Sequence, residues 1–373
     1  MEETALNGKE MSDKTKLLIV DDSRIFRSAI EESLAGVNDI KVIGSVWNGR
    51  KAMEFIQSNR PDLVTLDVEM PDMDGLETLE AIQEINVSSK ASKPIGAIML
   101  SSHTKAGADT TIKALEMGAF DFIPKPEGKD LRESMELLRS QLVVKIRHFA
   151  SKRTAPHLAK APVAIPPLPR ITPELAVSST VKAIVIGVST GGPRAMASML
   201  PSLCERVDVP IFIVQHMPAT FTESLAKSLN AMCRYTVMEG TDDEVIQKEH
   251  AYIAPGGRHM LLREHDQKVR IAVNDQPPDK GCKPSVDILF RSAASVYGKG
   301  VVAIVLTGMG VDGTKGAAVL KRAGAFVIVQ DKETSVVWGM PGSVQGAGCS
   351  DAVLPLQRIP HAVIARIMKT NEE

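Results

Sequence analysis

The chain has 373 residues, 44% of them hydrophobic and 24% charged, with a formal net charge of −1. At about 100–200 residues per domain, that length allows two or three domains with a core each, and two are expected. Near-neutral charge without a block of like charges excludes an electrostatic grip on nucleic acid or anionic membrane, and no run approaches the roughly 20 apolar residues of a membrane span.

Residues 1–14 are polar and read as a flexible tail. β-branched runs at 17–20, 41–44, 63–66, 95–100 and 121–123 read as strands, and amphipathic segments at 24–36, 48–59, 75–85, 106–117 and 129–148 as helices. Five βα units in order predict a doubly wound five-stranded parallel sheet over 15–148. Between 149 and 180 the periodicity stops among six prolines (156, 162, 166, 167, 169 and 173), as expected of an interdomain linker. Strand-like runs at 183–188, 211–215, 251–253, 301–306 and 326–330 then predict a second doubly wound α/β domain over 181–373.

The four cysteines, Cys204, Cys233, Cys282 and Cys349, are too few and too scattered for a disulfide framework, and none forms a C-x-x-C pair. They read as reduced thiols. With an acidic N-terminus that lacks a signal-peptide core, a cytoplasmic protein without membrane insertion is expected; a monomer is expected as well.

Ligands of open parallel sheets bind beyond the carboxyl ends of the strands. There the first strand ends in Asp21-Asp22, the third in Asp67, the fourth in Ser101-Ser102, and the fifth is followed by Lys125-Pro126, which admits a cis-proline. Clustered carboxylates suit Mg²⁺. Together with a lysine and a hydroxyl they suit a carboxylate that becomes phosphorylated. The plain alternative is that Asp21 and Asp22 cap a helix and Lys125 is a solvated lysine.

Residues 16–135 resemble response-regulator receivers in Val20-Asp21-Asp22-Ser23, in Leu66-Asp67-Val68-Glu69-Met70-Pro71-Asp72-Met73-Asp74-Gly75 and in Lys125-Pro126. The resemblance implies that Asp67 is the phosphoacceptor and that Asp21 and Asp22, with Asp67, hold Mg²⁺. It makes Ser101 the switch hydroxyl, Phe122 the switch aromatic and Lys125 the phosphate partner.

In the second domain, strand 183–188 runs into Ser189-Thr190-Gly191-Gly192-Pro193, where glycines permit a tight turn and Pro193 can open a helix. The next strand ends in His216, and strand 301–306 leads into Thr307-Gly308-Met309-Gly310-Val311-Asp312-Gly313. Serine, histidine and aspartate thus come to one sheet edge, as nucleophilic acyl transfer requires. The order Ser…His…Asp differs from that of the α/β-hydrolases, although Gly187-Val188-Ser189-Thr190-Gly191 matches their G-x-S-x-G elbow.

Two other readings stay open. Residues 308–313 are a literal G-x-G-x-x-G with Asp331 further on, the pattern of a dinucleotide site, although Asp312 would repel a pyrophosphate there. Alternatively, the second domain is a non-catalytic binding module.

Residues 181–356 resemble the CheB family in six segments: 187–193, Gln215-His216-Met217-Pro218-Ala219, 252–259, Pro284-Ser285-Val286-Asp287-Ile288-Leu289-Phe290, 306–313 and Gly339-Met340-Pro341. The resemblance implies a phosphorylation-activated protein-glutamate methylesterase that also deamidates glutamines. Ser189 is then the nucleophile, His216 the base and Asp312 its orienter, with Thr190 and Met309 beside the oxyanion. It implies chemoreceptors as substrate, a CheA-type histidine kinase as phosphodonor, Mg²⁺ for the receiver and no cofactor for the ester chemistry. Cys282 departs from the pattern, since family members often have histidine there.

Overall fold

In the computed structural model, residues 14–88, 94–126, 131–154 and 181–369 are described. The chain divides into two units, Met1–Arg153 and Thr154–Glu373. Most of the tail expected over 1–14 and, beyond Thr154, the linker expected up to 180 lie outside the described residues.

The first unit runs β1 (Thr15–Val20), α1 (Arg24–Leu34), β2 (Ile40–Val46), α2 (Gly49–Ser58), β3 (Leu63–Asp67), α3 (Gly75–Ser88), β4 (Gly96–Ser101), α4 (Lys105–Glu116), β5 (Asp121–Pro124) and α5 (Leu131–Thr154). Its strands order as β2-β1-β3-β4-β5, and every pair is parallel. Leu17, Leu18, Ile19 and Val20 are all fully buried, because helices cover both faces and each strand must be apolar on both sides. The order reverses between β1 and β3, which opens a crevice at their carboxyl ends.

Helix α5 continues past residue 148, where the sequence reading stops it. No proline interrupts it before 156. Phe149 is buried edge-on against Phe120, with ring centroids 5.3 Å apart, and Arg153 pairs with Asp62.

The second unit runs β6 (Ala183–Val188), α6 (Gly192–Cys204), β7 (Ile211–Gln215), α7 (Ala219–Met232), β8 (Thr236–Glu239), β9 (His250–Ile253), β10 (His259–His265), β11 (Lys268–Asn274), α8 (Val286–Tyr297), β12 (Val301–Val305), α9 (Thr314–Arg322), β13 (Phe326–Gln330), α10 (Met340–Gly346), β14 (Ala352–Leu354) and α11 (Ile359–Lys369). Seven strands form a parallel sheet in the order β14-β13-β12-β6-β7-β9-β8, while β10 and β11 make a separate antiparallel hairpin. The hairpin packs Met260, Leu262 and Ile271 into the core that also holds Leu289 and Phe290 of α8. Strand order reverses between β6 and β12, so the loops after those strands flank the crevice of this sheet. Among the described residues the cis peptide is Lys283–Pro284, so the cis-proline admitted at Lys125-Pro126 is corrected to trans.

Candidate active site

The first crevice collects the residues named from the strand ends. Asp21 and Asp67 are buried and Asp22 exposed, and one carboxylate oxygen from each lies within 4.8 Å of the others. Lys125 Nζ stands 2.9 Å from Asp21 Oδ2 and 2.8 Å from Asp67 Oδ2. Helix α1 is capped by Ser23, which accepts from the Phe26 amide, so neither aspartate is the N-cap, and Asp21 Oδ1 accepts from the Ser23 amide at 2.9 Å.

Burial, then the charge of Asp21, raise the Asp67 carboxyl from 3.8 to about 6, against the pull of Lys125. One ammonium therefore faces more negative charge than it neutralises. That surplus, on hard oxygen donors, fits a divalent cation such as Mg²⁺. Gly75 lets the loop after Asp67 fold back, since a Cβ there would lie 2.2 Å from the Asp67 carbonyl oxygen.

Ser101 is fully buried, accepts from Thr111 Oγ1 at 2.7 Å, and reaches the Gly107 carbonyl at 3.2 Å. Its hydroxyl is thus engaged with α4. Phe122, 6% exposed, lies within β5.

In the second crevice, Ser189 follows β6 and His216 follows β7. The Ser189 amide donates to Thr307 O at 3.0 Å, and the Ser189 carbonyl accepts from Gly192 N at 2.8 Å and from Gln215 Nε2 at 3.0 Å. Thr307 Oγ1 donates to the Thr190 carbonyl at 2.9 Å, which ties the serine turn to the loop after β12. Gly308 permits that approach: a Cβ there would stand 2.7 Å from Ser189 Cβ and 2.5 Å from Met340 Sδ. Thr190 follows Ser189 after β6, and Met309 follows Gly308 in the loop after β12.

His216 Nε2 lies 2.9 Å from Asp312 Oδ2. The carboxylate of Asp312 also accepts from Val286 N at 2.7 Å, from Asp287 N and Gly313 N at 2.9 Å, and from Ser285 Oγ at 3.0 Å. Two of these amides open α8, whose N-terminus favours an anion. Although burial pushes the Asp312 carboxyl up, His216 and these amides hold it below the usual carboxylate range. Burial disfavours a charged His216, yet Asp312 and the Cys282 thiol beside the ring raise it from 6.5 to about 9. Among the described residues no hydrogen bond joins Ser189 Oγ to His216, and such contacts commonly tighten only when substrate binds.

The glycines of 308–313 have local work. Gly308 clears Ser189, and Gly310 and Gly313 adopt φ of +80° and +92°. Asp331, the acidic partner a dinucleotide site needs, spends Oδ1 on Thr334 N and Oγ1 at 2.9 and 2.6 Å. Nothing in this loop calls for a pyrophosphate.

The CheB methylesterase family matches residues 184–363, and the response regulator receiver domain matches 17–136. A protein-glutamate methylesterase/protein-glutamine glutaminase of Desulfotalea psychrophila is 41% identical over 94% of this chain and 97% of its own length. The chain belongs to the CheB family of receiver-linked methylesterases. A namesake from Trichodesmium erythraeum is 40% identical over 95% of this chain and 99% of its own. Among solved structures, the catalytic domain of Thermotoga maritima CheB methylesterase is 42% identical, covering 50% of this chain and all of that one, with a TM-score of 0.49.

In this CheB-family chain the sequence reading placed the strand-end residues but not their supports. Ser285 and the first amides of α8 escaped it, although a serine ahead of Val286-Asp287 is an N-cap signal. Gln215, 2% exposed at the end of β7, stood in the sequence only within a segment that resembles the family, with no role of its own. Among the described residues no helix is long and apolar enough to cross a membrane.

Proposed function

We propose that the chain hydrolyses glutamate γ-methyl esters on chemoreceptors, deamidates receptor glutamines by the same route, and is switched on by phosphorylation at Asp67. The observation that carries the reading is the His216–Asp312 contact, with Asp312 fixed by the N-terminus of α8, at the crevice where Ser189 emerges. Ser189 Oγ attacks the ester carbonyl, forming the C–O bond, while its proton passes to His216. With Nε2 turned to Asp312, Nδ1 takes that proton. The tetrahedral oxyanion is met by backbone amides near Thr190 and Met309, the preorganised kind of stabilisation that dominates acyl transfer. Collapse expels methanol, which leaves with the proton from His216. Water, deprotonated by His216 in turn, then hydrolyses the glutamyl–Ser189 ester.

In the receiver, a CheA-type histidine kinase supplies the phosphoryl group to Asp67. Bound Mg²⁺, held by Asp21, Asp22 and Asp67, would neutralise charge on that group. Lys125 already bridges Asp21 and Asp67 and is placed to pair with it. For Ser101 to reach the phosphoryl group, its hydroxyl must leave Gly107 and Thr111, which couples phosphorylation to the start of α4.

The test is methanol release from methyl-labelled receptor with and without a small phosphodonor. Ser189→Ala is expected to abolish turnover, and Asp67→Asn to abolish stimulation while keeping the basal rate. Wild-type turnover in Ser189→Ala would refute the nucleophile, and stimulation that survives Asp67→Asn would refute the switch.

A further inference from the structure

Cys282 has no part in the reaction just described, yet it lies against the base. One ligand atom each from His216, Cys282 and Asp312 falls within 4.8 Å of the others. We propose that these three side chains form a binding site for a thiophilic divalent cation of the Zn²⁺ class, and that its occupancy withdraws His216 from catalysis.

Each ligand has a rigid support. Cys282 closes a tight turn in which Asp279 N donates to Cys282 O at 3.1 Å and Cys282 N to Asp279 O at 3.0 Å. The central residues, Lys280 and Gly281, have φ of +51° and +83°, the pattern of a type I′ turn. Arg291 holds Asp279 at 2.9 Å, and Lys280 holds Asp287 of α8 at the same distance. The His216 amide donates to Val188 O at 3.1 Å, and Asp312 is fixed as described.

The donor set suits the ion. Imidazole, thiolate and carboxylate are the three ligand types of protein zinc sites, and three protein ligands with a position left to solvent is a common arrangement. A neutral imidazole with a thiolate and a carboxylate carries two negative charges, which cancel those of the cation where Asp312 is buried and His216 and Cys282 are half-buried. Donors around tetrahedral zinc stand about 3.3–3.8 Å apart, so the cluster needs to close by about 1 Å while the His216–Asp312 contact opens by a few tenths. Binding releases the thiol and imidazole protons to solvent. The inhibitory consequence rests on His216 being the base. The binding does not.

The experiment uses full-length protein with Co²⁺ as the spectroscopic probe and excess Mg²⁺ to occupy the receiver carboxylates. A thiolate-to-cobalt charge-transfer band at one equivalent, displaced by Zn²⁺, is expected in wild type and in Ser189→Ala. The band should vanish in Cys282→Ser and in Cys282→Ala. Zn²⁺ affinity should fall in both by at least the roughly 10–100-fold seen when outer-shell partners of metal ligands are removed. Zn²⁺ should also slow alkylation of Cys282 in the wild-type chain, a readout that needs no variant to fold. Ester hydrolysis should fall over the same Zn²⁺ range and recover with a chelator. No band, or one that survives loss of Cys282, would overturn the site. A cation bound at Cys282 with an unchanged ester rate would overturn its inhibitory role and the assignment of His216 as base, leaving the Ser189 result to stand separately.

Discussion

Asp312 shows how one side chain sets the chemistry of another. Its two oxygens accept from His216, Ser285, Val286, Asp287 and Gly313, so the carboxylate stays ionised in a buried place and has little freedom to turn. Against burial, the charge it presents and the neighbouring Cys282 thiol together raise His216 to about 9. A base must be neutral to accept a proton, so kcat/KM for ester hydrolysis should rise with pH along a limb centred near about 9 and fall below it. The stability term has the opposite sense. With a folded pKa above 6.5, the charged His216 pair contributes stability that is complete below 6.5 and is lost as pH rises through about 9. Asp312→Asn keeps the shape but removes the charge. It should lower kcat by about 10²–10⁴-fold and move the remaining limb toward the ordinary histidine value. A pH–rate profile that stays in place in Asp312→Asn would show that the carboxylate does not set the base.

At the scale of elements, the crevice depends on loops that approach more closely than side chains allow. The loop after β12 reaches Ser189 because position 308 lacks a Cβ. In Gly308→Ala the new methyl meets Ser189 and the Met340 sulfur. The Met340 thioether can yield, whereas Ser189 is pinned by bonds from Gly192, Gln215 and to Thr307. The substitution should cost about 1–3 kcal/mol of stability, as overpacking does, and should reduce turnover through displacement of Ser189 or Met309. Circular dichroism and urea denaturation would show the fold retained, with the rate loss read on the same sample. Unchanged turnover would mean that the two loops are not held as close as Gly308 implies.

At the scale of the whole chain, each of the two units has its own sheet and core, so denaturation should resolve into two transitions. Asp67 makes the first of them separately tunable. An acid raised from 3.8 to about 6 binds more protons folded than unfolded, so the receiver loses stability as pH rises between those values and carries the full penalty above them. Asp67→Asn should therefore stabilise the receiver at neutral pH by on the order of 1–3 kcal/mol. Mg²⁺ should stabilise the wild-type receiver through native-state binding, and less so the variant. Calorimetry with and without Mg²⁺ on both proteins checks this, and a destabilised Asp67→Asn receiver would contradict the charge argument.

The sequence by itself determined the two sheets and the residues at their working edges. Apolar β-branched runs ending in Asp21, Asp67, Ser189 or His216 are local patterns, and an open parallel sheet brings such ends to one side whatever their separation along the chain. Short or half-exposed strands were not legible: β8, β14 and the β10–β11 hairpin lack a long apolar run and owe their place to neighbours. Only the tertiary structure decided what surrounds the second edge. The contact of His216 with Asp312 spans 96 positions and depends on β12 taking the far side of β6 from β7. The carboxylate is held from α8, 26 positions before it, and Cys282 meets the base through a turn whose residues carry no periodic signal. Period and composition report what a segment buries. Which segments then meet is set by strand order and loop closure, which are properties of the folded chain as a whole.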